Sequence, residues 1–518
     1  MKKIKILLIF IVGFINYNNI LAQINPVWAT AYTINYPYNI SENDMVTDKS
    51  GNVYITGYSN DTSFFHAKTV TLMYNSSGQL QWVQEIDSLS YFAKIAIDDS
   101  GNVYIAGHTE YNLMTIKYNS QGIFKWAKSY IGSLWYNWVF DIITDDSCNV
   151  YITGNSNGNQ FTTIKYSSSG DLKWIASDSP AMGLDNSYIA LDNNRDVYIT
   201  VRGIDTSYTC KTMKYNNFGI KQWERVYKGN FNPGSAGPRG LKFDPHGFVY
   251  VLAYTTNDNN GEGDYAVVKY DTIGNLVWAS SYSFSSYYDV PKSLAIDKSG
   301  DVYATGNIYP TGGSIDSIAT IKFDKYGAFK WAKTYSIGYD NLDEASAITT
   351  DSLGYIYVTG KSSDSSSHEN FVTIKYDLLG NEIWVARYKN TLYSSDEANS
   401  ISLDKFGNIY VSGTSRDYNT SASAILTVKY SFDVGIHELS DNYEYIVKIY
   451  PNPSLNNLSI ETSQKSIIEI LNIQGQLLIQ QQIQQGKSDI DISRLAQGVY
   501  ILRLNSSDKT AVTRFVKE

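Results

Sequence analysis

Cysteine is nearly missing from this sequence: Cys148 and Cys210 are the only two in 518 residues. That excludes a disulfide scaffold, a multi-cysteine zinc site and an iron–sulfur cluster. Histidine is scarce too, and His66, His108, His246, His368 and His437 share neither a metal-ligand spacing nor a common setting. Charge is low at 18%, with 51 acids against 42 bases, a net charge of −9 and a pI near 5.2. Such a chain has no global cationic field for nucleic acid or anionic lipid. No apolar run reaches the ~20 residues that span a bilayer. A glycine-rich phosphate loop, a nucleophile elbow and a zinc-protease helix are all missing. Aromatic residues are in excess, at 44 Tyr, 19 Phe and 10 Trp. The length allows roughly two to four domains unless repeats merge them.

The first segment reads as an address. Lys2, Lys3 and Lys5 precede an apolar run from Ile6 to Ile15, and Ile20-Leu21-Ala22-Gln23 follows. A basic start, a short apolar core and a small residue at the end predict a secretory signal peptide over residues 1–22, cleaved between Ala22 and Gln23. Losing three lysines and no acid takes the net charge from −9 to −12.

One pattern then recurs eight times: GNVYITG, GNVYIAG, CNVYITG, RDVYITV, GFVYVLA, GDVYATG, GYIYVTG and GNIYVSG. Their tyrosines are Tyr54, Tyr104, Tyr151, Tyr198, Tyr250, Tyr303, Tyr357 and Tyr410. Three residues before each Gly, or its substitute, stands Asp48, Asp98, Asp145, Asp192, Asp244, Asp297, Asp351 or Asp404. Each copy continues into a second β-rich string such as TIKY, a turn glycine, and a strand opening near Trp. β-Branched and aromatic residues alternate in runs bounded by Gly, Asn, Asp and Ser, so each copy predicts four short strands. Asp-x-x-Gly suits a tight turn in which Asp accepts from the backbone and Gly takes positive φ. Cys148 and Arg195 replace that Gly in two copies, which predicts strained or differently shaped turns there.

Repeated four-stranded antiparallel units predict an all-β, eight-bladed β-propeller over residues 23–434. Only seven copies are followed by their own Trp strand. The missing one lies at the other end of the chain, in Pro26-Val27-Trp28-Ala29-Thr30-Ala31-Tyr32. It would complete the last blade and remove the open sheet edges. The strings DDSGNVYIAG and TIKYNSQGIFKW resemble the bacterial β-propeller repeats grouped under a "seven-bladed" label. That resemblance implies the fold and an exported protein but no particular activity.

Aromatic residues held at the same place in every copy are assigned to packing, since an interior Trp buries ~150–250 Å². Trp135 and Trp138 fall outside the repeated position and are candidates for ligand contact. In up-and-down blades the one–two and three–four turns share one face, here short and regular. The two–three loops and blade connections share the other and vary in length, which marks that face for binding. Asp289, Asp343 and Asp396 precede strand one on that face and are candidates for binding a substrate or calcium. Otherwise no cofactor is expected.

After Tyr430 the repeat stops. Residues 435–442 read as a linker, and residues 443–518 as about seven short strands of a small β-sandwich. The strings Tyr450-Pro451-Asn452-Pro453, Gly475-Gln476 and Leu495-Ala496-Gln497-Gly498-Val499-Tyr500-Ile501-Leu502-Arg503 resemble the type A C-terminal sorting domain of the type nine secretion system. An immunoglobulin-like adhesive module is the alternative. The resemblance implies handling by an outer-membrane translocon and sortase, and a secreted or surface location on a Gram-negative bacterium. The expectation is a monomeric exported propeller binding an extracellular glycan or protein. Two alternatives stay open: an enzyme acting on extracellular polymer through acids of the variable face, and a purely structural surface protein.

Overall fold

The structure, a computed structural model, describes residues 24–517 except 35–38, 61–66, 88–92, 110, 133–136, 157–159, 179–186, 205–207, 230–234, 257–262, 285–286, 311–315, 338–341, 365–367, 432–447, 463, 473–476 and 506–509. Among the described residues every regular element is a β-strand. Contacts divide the chain into two compact units, Met1–Phe432 and Asp433–Glu518.

The first unit holds eight four-stranded sheets. The first of them runs through Asn39–Thr47, Val53–Asn60, Ala67–Tyr74 and Leu80–Asp87, each strand antiparallel to its neighbour. Its opening strand touches Lys94–Ile97, the opening strand of the next sheet, and the succession continues through Trp138–Thr144, Tyr188–Leu191, Ser235–Phe243, Tyr287–Ile296 and Glu344–Thr350. It ends at Ser394–Leu403, which in turn touches Asn39–Thr47. The opening strands therefore form a closed inner ring, and the sheets are the blades of a β-propeller.

Closure uses the strand predicted for it. Trp28–Thr33 lies antiparallel on Ser423–Tyr430, with Trp28 opposite Lys429 and Thr33 opposite Ala424. The first and last blades are also joined through side chains: Ser423 Oγ accepts from Ile40 N at 2.6 Å and donates to Ile40 O at 2.7 Å. Glu42 is buried at this seam, where Ser400 Oγ and Ser412 Oγ both donate to its Oε1 at 2.8 Å.

The repeated signature builds one device per blade. In the second blade Asp98 Oδ1 accepts from the amides of Ser100 and Asn102, both at 2.9 Å, and Oδ2 accepts from Tyr104 Oη at 3.0 Å. The tyrosine-to-aspartate bond recurs in all eight copies. Cys148 and Arg195 take φ of 58° and 63° and keep the same turn hydrogen bond to Asp145 O and Asp192 O, each at 2.9 Å. The turn shape is thus unchanged, and the cost is the left-handed conformation itself, about 1–2 kcal/mol for a residue with a Cβ.

Blades are stapled to one another by tryptophan and lysine. Trp126 Nε1 and Lys117 Nζ of one blade both donate to Ser168 O in the next, at 3.1 and 2.9 Å. Trp28 Nε1 and Lys429 Nζ repeat this across the closure, both onto Ser76 O, at 3.1 and 3.0 Å. The Lys117 ammonium also lies 4.9 Å from the centre of the Tyr104 ring, an arrangement in which the ring face attracts the cation. The repeated tyrosines are among the largest fully buried side chains. Packing is therefore their work.

The second unit forms two sheets. Lys448–Tyr450, Asn457–Thr462 and Gly486–Asp491 make one, and Ser466–Leu471, Leu477–Ile483, Gly498–Asn505 and Thr510–Lys517 the other. They share a core that includes Leu458, Ile460, Ile468, Ile470, Leu502, Leu504 and Phe515, which makes the unit a small β-sandwich.

The turn glycines of strands three and four answer two demands at once. Gly122 has φ +76°, and a Cβ there would lie 2.7 Å from the Trp82 ring, whereas Gly247, in a one–two turn at φ +91°, has only Thr272 Cγ2 at 4.0 Å. Both alanine variants strain the backbone, but Gly122→Ala also overpacks the blade interface, a penalty of about 1–3 kcal/mol. Chemical denaturation of the full chain should find Gly122→Ala less stable than Gly247→Ala by that amount.

Burial pushes the Glu42 carboxyl above its ordinary 4.5, with Asp44 adding to the rise and the serine hydroxyls opposing it. A raised folded value means the protonated form is favoured in the native state. Its stabilisation is full below about pH 4.5 and is lost as pH rises through the folded value. Glu42→Gln keeps an acceptor for Ser400 and Ser412 and cannot ionise. Melting curves should show it matching the parent at acidic pH and exceeding it near neutrality.

Candidate functional site

The three candidate aspartates lie inside the fold. Asp289, Asp343 and Asp396 are each fully buried. Their Oδ2 atoms accept from the amides of Phe284, Ile337 and Asn390, at 2.9, 3.1 and 2.7 Å. Each donor lies five or six residues earlier, on the segment arriving from the preceding blade, so each carboxylate ties down its own blade connection. Ser362 Oγ also donates to Asp343 Oδ1, and Ser394 Oγ to Asp396 Oδ2 at 3.0 Å. A carboxylate with no exposed surface and backbone donors already in place is not presented to solvent on the variable face. The sequence puts these acids in the right loops and is silent on which way they turn.

Trp138 opens the strand Trp138–Thr144 and is half-buried, with its ring 4.6 Å from that of His108 in the neighbouring blade. His108 is buried, and burial lowers its pKa to about 4, so the pair is a neutral packing contact near pH 7. Trp135, Ala22, Gln23 and the linker 435–442 lie outside the described residues. Cys148 and Cys210 are free thiols in separate blades, and burial pushes Cys210 up to about 12.

Along the inner ring, the position four residues before each turn aspartate is charged in three blades, a tyrosine in one and small in four. Asp44, Lys94, Asp141 and Tyr188 occupy one arc, and Gly240, Ser293, Ala347 and Ser400 the other. Asp44 above all, with Asp141 and Glu42, raises the Lys94 pKa and holds it charged. Burial lifts Asp141 to about 6 against the pull of Ile189 N and Lys94. Both aspartates already accept from the next blade, Asp44 Oδ2 from Ile95 N at 3.1 Å and Asp141 Oδ2 from Ile189 N at 3.0 Å. Those two amides lie in the two shortest opening strands, Lys94–Ile97 and Tyr188–Leu191. These carboxylates complete the ring where it is thinnest.

A cavity of about 350 Å³ opens at the seam between first and last blades. Asn39 and Ser41 line it from the opening strand of the first blade, and Tyr58 and Asn60 from its second strand. The last blade supplies Arg416 and Asp417 from Ile409–Asp417, then Tyr418 and Ser421 from the loop that follows. All of these sit at strand ends leading into two–three loops or blade connections, which places the cavity on the variable face. Ser421 is in the left-handed region at φ 57°, a non-glycine residue with no turn-glycine role. A residue held there costs about 1–3 kcal/mol and persists when its surroundings fix it. Tyr418 is 56% exposed, and its ring lies 5.5 Å from that of His368 in the seventh blade. Asp417 Oδ1 caps its own loop, accepting from the amides of Asn419 and Thr420, both at 2.9 Å, and these bonds hold its pKa below the usual carboxylate value.

None of these residues carries a repeat-independent motif. The signal that finds them is departure between copies. Four residues after the strand-two tyrosine stand Tyr58, His108, Asn155, Arg202, Tyr254, Asn307, Lys361 and Thr414, a polar and aromatic series beside an otherwise constant string.

Residues 332–365 and 383–419 match the family described as Beta-propeller repeat. Residues 448–518 match the family described as Secretion system C-terminal sorting domain. No curated protein matches the chain. Solved structures similar to it include the polysaccharide lyase of a new family, PL25 ulvan lyase, at 11% identity over 71% of this chain and 94% of that chain, with a TM-score of 0.39. The β-propeller domain of the Trilobed protease from Pyrococcus furiosus, described as having an open velcro topology, is similar at 10% identity over 66% of this chain and 94% of that chain, also with a TM-score of 0.39. At such identity and overlap neither speaks to what this chain binds.

The buried aspartates give a direct check on their assignment. Asp396→Ala strands the Asn390 amide inside the fold, a loss of about 1–3 kcal/mol, while the Ser394 hydroxyl keeps Thr391 O at 3.0 Å. Denaturation should register that loss, while binding measured below the new melting point stays unchanged.

Proposed function

We propose that this exported β-propeller repeat protein, which carries a type nine C-terminal sorting domain and reaches the medium or the cell surface, is a glycan-binding protein whose ligand enters the cavity between its first and last blades. The observation that carries the reading is the lining of that cavity. Tyr58 and Tyr418 offer ring faces, Asn39 and Asn60 offer amides that both donate and accept, and Ser41 and Ser421 offer hydroxyls. Sugars present apolar C–H faces beside hydroxyl-bearing edges, so aromatic plates interleaved with amides match them. A small concave site suits a short glycan end or branch better than a protein, because a stable protein interface buries about 1,200–2,000 Å² over a broad patch. Ligand pockets of this kind lie at ~300–1,000 Å³.

The sorting domain accounts for the address. Interaction with the secretion machinery belongs to residues 448–518, and recognition of the ligand belongs to the propeller.

Retention of the full chain on a glycan array tests the reading. Tyr418→Ala should lower affinity for the retained glycan by about tenfold, equivalent to 1.4 kcal/mol. Tyr326→Ala, at an exposed three–four turn on the constant face, should leave it unchanged. Equal effects of the two variants would place the ligand elsewhere.

A further inference from the structure

We infer that the seam cavity selects an anionic saccharide, one carrying a carboxylate within reach of Arg416; this rests on the glycan reading above. Arg416 is exposed at the end of the strand Ile409–Asp417 and lines the cavity, and among the described residues no hydrogen bond or ion pair engages its guanidinium. Three other arginines of the propeller are occupied. Arg195 Nε donates to Asp146 at 2.5 Å, Arg225 Nε to Gly274 O at 2.6 Å, and Arg387 Nη1 to Ser362 Oγ at 2.7 Å.

The acid beside it makes no ion pair with it. Asp417 spends Oδ1 on Asn419 N, Thr420 N and Thr420 Oγ1, and Oδ2 accepts from Thr391 Oγ1 at 3.3 Å. One carboxylate oxygen is therefore committed to its own loop and the other to the connection that carries Thr391. The arginine is left with its N–H donors unpaired, a planar fork whose geometry matches a carboxylate through two parallel N–H···O bonds.

The repeat itself marks the position. Six residues after the strand-two tyrosine, the other seven copies carry Asn60, Glu110, Asn157, Ile204, Thr256, Tyr309 and Ser363. Arg416 is the single cation in that series. A chain of net charge −9 repels anionic ligands at long range, so an arginine in this cavity acts by contact and not by steering.

Calorimetric titration of the full chain tests this with four probes: a uronic-acid-terminated trisaccharide, its methyl ester, the neutral hexose counterpart and a sulfated counterpart. The uronate should bind at least about tenfold more tightly than the ester and the neutral sugar. Arg416→Gln should erase that ratio with the melting temperature unchanged. Equal affinity for uronate and neutral sugar would overturn the inference and leave the glycan cavity standing. A preference for the sulfated sugar over the uronate would overturn the carboxylate assignment. Tyr418→Ala without effect on any probe would overturn the cavity reading on which the inference rests.

Discussion

In each three–four turn of the staple series a carbonyl oxygen accepts from the tryptophan of the preceding blade, at 3.0 to 3.1 Å. In most blades a lysine from strand three reaches the same oxygen. That lysine lies over the ring of a tyrosine whose hydroxyl is held by the turn aspartate. Aspartate, tyrosine, lysine and tryptophan thus form one chain of contacts running from the constant turn of a blade to its neighbour. Burial works against the ammonium, lowering Lys117, Lys165, Lys269 and Lys429, while the turn aspartate pulls the other way. The lysine is held because ring face, carboxylate and carbonyl meet it together. Removing one of them leaves a buried charge with less to compensate it.

A ring built this way has a problem at its ends. The last blade must borrow a strand from the start of the chain, and the clasp there joins Trp28 and Lys429, residues some four hundred apart in sequence, onto Ser76. Once the staple is made, the seam resembles any other interface on its constant side. On the variable side it does not. There Glu42 enters with its two serine donors, Ser421 takes a left-handed conformation, and the space between Tyr58 and Tyr418 stays open. The constraint that makes the ring uniform on one face leaves it free to differ on the other, and the candidate site sits on that second face.

Much of the fold is legible in the sequence because the repeat is written in residues with one job each. Aspartate and glycine at fixed spacing dictate a turn, tyrosine at a fixed place dictates a buried ring, and the lone Trp28 strand completes the count. The sorting domain is legible for the same reason, through strings that recur as units. Direction is harder to read. Asp289, Asp343 and Asp396 sit in loops of the variable face, yet their carboxylates turn inward to amides five or six residues back, a choice that depends on the path of the connection. Trp138 departs from the repeat and still packs, because His108 of the preceding blade offers it a neutral partner. The cavity residues are ordinary Asn, Ser and Tyr in the chain. They become a site only when residues 39–60 meet residues 416–421 across the closure, a meeting that spacing along the chain cannot display.

The account stands on the closing strand being part of the folded ring and not an appendage to it. Native-state hydrogen exchange of the full chain measures this directly, through the amides of Trp28–Thr33 that pair with Ser423–Tyr430. If the ring is closed as described, those amides exchange only with global unfolding of the propeller, at the same free energy as the central strand Val103–His108. Exchange of the closing strand at a much lower opening energy, with the interior blades still protected, would contradict it.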